Sequence, residues 1–110
     1  YGLKVMNQMT NGIPDCWFSG KKADIWVELK YLQKLPSKPT TIITPNLSAL
    51  QNKWLTDRHN EGRKVAVILG SPDGSYIFES PDAWNRGTIN LKMLLTKQEV
   101  AQWITQQTLG

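Results

Sequence analysis

The stretch KVAVIL, residues 64–69, limits the architecture more than any other part of the chain. A short, continuous apolar run that ends in the strong turn GSPDG is typical of a strand buried on both faces. Such a strand requires a layer of structure above it and another below. The chain therefore reads as a layered α/β domain with a central sheet.

The rest of the sequence supplies those layers. Residues 3–9 alternate loosely and predict a strand, and Asn11 and Gly12 mark a turn. Residues 14–19 and 24–32 predict two more strands, joined by a short turn at SGKKA. Residues 35–45 carry three prolines and three threonines and predict a loop, with an extended piece at Ile42 and Ile43. A helix is predicted over 47–61, capped by Thr44 or Asn46 and closed by Gly62. Another strand is expected at 76–79, then a helical turn from Ser80 and Pro81 through Trp84. The last helix starts at Thr96, where Glu99 completes a capping box, and turns Val100, Trp103, Ile104 and Gln107 inward. The order is β-β-β-α-β-β-α in one domain over residues 1–110, with no repeat or linker that divides it.

Cys16 is the only cysteine, so no internal disulfide forms and a reducing, cytoplasmic setting is expected. No apolar run approaches the roughly 20 residues of a membrane span. Lys4, Asn7, Gln8 and Asn11 interrupt the start, so no signal peptide is visible. Thirteen Lys and Arg against nine Asp and Glu give a net charge of +4. That suits a polyanionic partner and equally a solvated basic surface.

The chemistry concentrates in residues 11–32. Treated as an antiparallel hairpin turning over Lys21 and Lys22, the strands pair residues whose numbers sum to 43. Phe18 then faces Ile25, Trp17 faces Trp26, Cys16 faces Val27, and Asp15 faces Glu28. One face carries Cys16, Phe18, Ile25, Val27 and Leu29. The other carries Asp15, Trp17, Asp24, Trp26, Glu28 and Lys30. A slip of one residue would scramble both faces, so the pattern supports its own register. Opposed residues stand about 4.5–5.5 Å apart at Cβ. Two carboxylates there repel and either share a proton or bind a cation, with Mg²⁺ or Mn²⁺ the natural choice for oxygen ligands. Lys30 lies on the same face and reaches the same spot. Asp24 is about 13 Å from Glu28 along the strand, too far for one ion to join them, and reads as a turn-side acid.

Pro14-Asp15 and Glu28-Leu29-Lys30 resemble the PD-(D/E)XK nuclease signature, and their placement on adjacent strands strengthens the match. The helix adds a second element. In LSALQNKWL, Gln51 intrudes on an apolar stripe of Leu47, Leu50, Trp54 and Leu55. A buried amide needs partners, and the E-x-K strand is the obvious place to find them. GIPD, ELK, the helix glutamine and EGRKVAVI follow in the order of the virus-type replication-repair nuclease (VRR-NUC) family, a resemblance spanning residues 12–69.

That resemblance implies a restriction-endonuclease-like core, a central mixed sheet flanked by helices. It implies a Mg²⁺-dependent DNA endonuclease of phage origin, selective for branched or flap-like DNA and acting as a homodimer in the host-cell cytoplasm. Asp15, Glu28 and the Leu29 carbonyl would hold the metal, Lys30 would orient the attacking water, and Gln51 would hold Lys30 or a metal-bound water. The family also has a glutamate-bearing helix ahead of its first strand, where this sequence already stands at Tyr1. A site-specific phage or homing endonuclease, a restriction-like enzyme and a catalytically silent nucleic-acid-binding module remain as alternatives.

Other residues carry weaker signals. Lys21, Lys22, Lys34 and Lys38 can clamp DNA phosphates or simply face water. Trp17 and Trp26 read as a cross-strand pair packed under another element rather than a base-stacking platform. Trp54 reads as core, Cys16 as a small buried hydrophobe, and His59 as exposed.

Overall fold

The computed structural model describes Gly2–Lys4, residues 12–38, residues 40–89 and residues 94–110. Most of the strand expected over 3–9, and Asn11 of the turn signal, lie outside them. The elements are β1 (Gly2–Lys4), β2 (Cys16–Ser19), β3 (Asp24–Tyr31), β4 (Ile42–Ile43), α1 (Ala49–Asn60), β5 (Lys64–Ser71), β6 (Gly74–Phe78), α2 (Pro81–Arg86), β7 (Thr88–Ile89) and α3 (Lys97–Leu109).

Five strands form one sheet in the order β1-β2-β3-β5-β6, and β4 pairs with β7 in a small separate ribbon. β3 and β5 run parallel, while the remaining neighbours in the sheet are antiparallel. The sheet is therefore mixed, as expected, with α1 carrying the crossover between its two central parallel strands.

β5 behaves as its composition requires, with Val65, Ala66, Val67, Ile68 and Leu69 all buried. Val65, Val67 and Leu69 join Leu55, Phe78 and Trp84 on the side of α1 and α2. Ala66 and Ile68 join Ile25 and Val27 on the other side, beneath Val100, Trp103 and Ile104 of α3. Burying each large side chain contributes roughly 1.5–3 kcal/mol, so the two cores clamp the middle of the sheet from both faces. Gln107 also faces the domain and accepts from Lys64 Nζ at 2.8 Å.

Two expectations about α1 require correction. Its cap is Ser48, not Thr44 or Asn46: the helix begins at Ala49, Ser48 is extended, and its hydroxyl accepts from Gln51 N. With the helix starting at Ala49, Leu47 packs on the core from outside it, and Leu50 is 54% exposed rather than part of an inward stripe. Leu55 is the fully buried apolar residue of α1, with Trp54 packed beside it. α2 is pinned to α1 through Asn52, whose side-chain oxygen accepts from Trp84 Nε1 at 3.0 Å and whose amide donates to Asn85 at 2.6 Å.

Candidate functional site

The hairpin adopts the expected register. Cys16 pairs with Val27, Trp17 with Trp26, Phe18 with Ile25 and Ser19 with Asp24. Trp17 and Trp26 stack at 6.0 Å, and Trp26 meets Trp54 of α1 edge-on at 5.3 Å, so the aromatic pair lies under a helix. Asp24 is the turn-side acid, accepting from Ser19 Oγ at 2.8 Å.

β2 begins at Cys16, one residue short of Asp15. Where a longer strand would offer a carbonyl to β3, Asp15 offers its carboxylate instead, and Oδ2 accepts from Leu29 N at 3.2 Å. The approach to Asp15 is tightly built. Pro14 is fully buried. Gly12 has φ +86°, and a Cβ there would overlap the Leu50 carbonyl and crowd Gln51 N. A glycine is thus needed both for the positive φ and for close passage over the first turn of α1.

Glu28 points from β3 to the α1 side and is only 2% exposed. Its Oε2 accepts from Gln51 Nε2 at 3.0 Å and lies 3.5 Å from Lys30 Nζ. Its Oε1 is buried with no partner among the described residues. Lys30 Nζ donates to Gln51 Oε1 at 3.0 Å. Gln51 also accepts from Ser48 N at 2.9 Å while its own N–H donates to Ser48 Oγ at 3.1 Å. One amide therefore completes the helix cap, holds the lysine and donates to the glutamate. Gln51 is half-buried rather than buried; it finds its partners on the E-x-K strand as expected, and it is also the helix-end residue of the plainer reading. Sequence reasoning overlooked Ser48, although S-x-x-Q is the capping-box signature that marks it.

Burial pushes the Glu28 carboxyl up from its ordinary value to about 7, and the negative charge of Asp15 pushes in the same direction, with Lys30 opposing both. A carboxyl held near neutrality with one bare oxygen is a group waiting for a cation or a proton. The donor set fits a hard divalent ion: two carboxylates of adjacent strands and, on the edge of β3 that faces Asp15, the Leu29 carbonyl, which alternation turns to the same side as its N–H. Among the described residues, no group of three or more His, Cys, Asp or Glu is placed to hold a metal.

The lysines divide by position. Lys34 and Lys38 follow β3 beyond Lys30, on the same end of the sheet as Glu28, and both are exposed. Lys21 and Lys22 are exposed at the opposite end of the hairpin, about 20 Å from Glu28 at roughly 3.3 Å per residue. His59 is half-buried rather than exposed, with Nδ1 unpartnered among the described residues. Cys16 is half-buried and packs on the α3-side core.

No family model matches the chain, and a search of curated proteins finds no match. Among solved structures the chain is similar to Hjc of Archaeoglobus fulgidus, a Holliday junction resolvase from an archaeal hyperthermophile, at 17% identity and a TM-score of 0.49. The likeness covers 71% of this chain and 61% of the resolvase, so this chain spans about three fifths of that protein. A likeness of that extent transfers no residue's role. No helix among the described residues is long and apolar enough to cross a membrane.

Proposed function

We propose that the chain is a metal-dependent endodeoxyribonuclease of PD-(D/E)XK type, with Asp15, Glu28, Lys30 and Gln51 as its working residues. The observation that carries this reading is the buried, unpartnered Oε1 of Glu28 beside Asp15 and a tethered lysine. A buried carboxyl with one oxygen left without a partner is costly, and a chemical use explains its presence better than stability does.

Asp15, Glu28 and the Leu29 carbonyl would hold Mg²⁺ or Mn²⁺. A bound ion of this kind lowers the pKa of water and stabilises charge developing on a phosphate. In that role Glu28 would act as the carboxylate, its proton released to solvent. Lys30, held by Gln51 Oε1, directs a donor at the attacking water or a phosphate oxygen. Gln51 fixes the two charged side chains relative to each other. Lys34 and Lys38 extend positive charge from this end of the sheet toward a DNA backbone. The VRR-NUC resemblance supports a narrower version: a phage enzyme acting as a homodimer on branched or flap-like DNA. A site-specific phage endonuclease on the same core is the alternative within the class.

The test is cleavage of supercoiled plasmid and synthetic junctions with Mg²⁺ or Mn²⁺. Nicking is expected from the native chain and a loss of more than about 100-fold in Glu28→Ala, with DNA binding retained. Binding with no metal-dependent cleavage by any form of the protein would make it a silent DNA-binding module.

A further inference from the structure

The positive charge of this molecule is not spread evenly. Lys21, Lys22, Arg58, Arg63 and Lys64 gather where the β2–β3 turn meets the end of α1 and the start of β5, together with three acids, Asp24, Asp57 and Glu61. The remaining eight basic and six acidic residues are spread over the rest of the sequence, so half of the net +4 rests on this pole. An open cleft of about 530 Å³ lies within it, lined by Lys22, Asp24, Trp26, Arg63 and Lys64 and by the backbone of Gly20 and Gly62.

The acids offset it only in part. Asp24 is an acid on the cleft wall itself, accepting from Ser19 Oγ at 2.8 Å. Glu61 is shared between Arg58 at 2.9 Å and Arg63 at 3.4 Å, the latter pair at 65% and 46% side-chain exposure and easily exchanged. Neither Lys21 nor Lys22 has an ion pair among the described residues, and both are exposed. Lys64 is steadied by Gln107, which leaves further ammonium hydrogens free to donate. The cleft is also firmly built, because Lys22 N and Ala23 N donate to the Thr108 carbonyl of α3 at 2.8 and 3.1 Å. A concave, rigid, basic site has the form that recognises phosphate.

Its direction relative to the carboxylate site is set by β3. Asp24 and Trp26 in the cleft and Glu28 and Lys30 in the site alternate onto the same face of one strand. Asp24 stands about 13 Å from Glu28 along β3, a span longer than one phosphodiester step, so the cleft meets a different phosphate of the backbone from the one at the carboxylate site.

We infer that this cleft is a second DNA-backbone contact, gripping a phosphate of the same strand about 13 Å along β3 from the bond positioned at Glu28. The inference rests on the nuclease reading only for the meaning of that spacing; the cleft binds the backbone whether or not the site cuts. It assigns Arg63 and Lys64, with Lys22, to the DNA interface and makes the hairpin turn one end of the track.

The experiment measures binding of a fluorescein-labelled 20-base-pair duplex in EDTA, by anisotropy across a KCl series. The full chain, the double variant Lys22→Glu/Arg63→Glu and the control Lys53→Glu/Arg86→Glu are compared, with circular dichroism to verify folding. Each lost phosphate contact lowers the slope of log K against log salt by about 0.9, so the cleft variant is expected to lose about 2 from the slope and at least about tenfold in affinity. The control keeps the native slope. A cleft variant that binds with native affinity and slope overturns the inference, even if the native chain cleaves DNA with Mg²⁺. Loss of binding in the cleft variant, from a native chain that cuts nothing, sinks the nuclease reading and leaves the cleft standing.

Discussion

The two long helices start with the same device and use it differently. At α3, Thr96 accepts from Glu99 N and Glu99 reaches back to Thr96 N, at 3.1 and 2.9 Å, on an exposed surface. At α1, Ser48 and Gln51 make the same reciprocal pair, but Gln51 also meets Lys30 and Glu28 beneath it. A carboxylate suits the first cap, where it faces water and the positive end of the helix dipole. It would be a poor choice at the second, above a buried glutamate. The amide supplies what the carboxylate lacks, an N–H for Glu28 and a neutral oxygen for the lysine. A local stop signal has thus become the support of a site at no added cost in residues.

The largest test of this contrast concerns what lies under the α1 cap. In the folded chain the Glu28 pKa is about 7 against 4.5 for the free side chain. The folded state therefore holds this proton more tightly, and the contribution to stability is full below pH 4.5 and lost as pH rises through 7. The total is about 3 kcal/mol at 1.36 kcal/mol per pKa unit. Urea unfolding in EDTA is expected to show that decline between pH 5 and 8 in the native chain and not in Glu28→Gln. Equal slopes in the two proteins would mean that Glu28 is not held as described.

Next comes exchange of the two capping side chains. Gln51→Glu keeps an acceptor for Ser48 N but removes the donor to Glu28 and adds a like charge. A 10–100-fold loss of metal-dependent cleavage is expected, with the pH–rate profile displaced to higher pH. Glu99→Gln preserves its cap, and both stability and cleavage should stay within about 0.5 kcal/mol of native. If the two exchanges behave alike, the helix starts are equivalent after all.

Gly12→Ala tests the packing of the Asp15 approach on α1. The positive φ alone costs about 1 kcal/mol, and the overlap with the Leu50 carbonyl raises the expected loss to roughly 2–4 kcal/mol by chemical denaturation. Among the changes that remove an interaction, the smallest effect is expected at the plain cap. Thr96→Ala should cost about 1 kcal/mol of stability and leave cleavage unchanged.

The hairpin register could be read from the residues alone because alternation admits one pairing that keeps Phe18, Ile25 and Val27 on one face. KVAVIL announced a doubly covered strand for the same reason, since its apolar side chains leave neither face for water. The start of α1 was harder. Thr44, Asn46 and Ser48 are all capping residue types within five positions, and only the backbone conformation selects among them. Leu50 shares a stripe with Trp54 by spacing, but it sits in the first turn of α1, where it is exposed. Gln51 stands out as a polar residue among apolar ones, but two of its three partners, Lys30 and Glu28, come from β3, 21 and 23 residues away, and the third is its own cap. The separation of Lys21 and Lys22 from Lys34 and Lys38 follows from the length of β3, which composition does not reveal.

The bare oxygen of Glu28 has a bearing on descent. A lineage that no longer needed chemistry at this spot would drift toward the amide, because the firmer fold lies in that direction and a single base change reaches it. Persistence of the acid across distant kin would then be a record of use, and its replacement in any branch would mark where that use had ended.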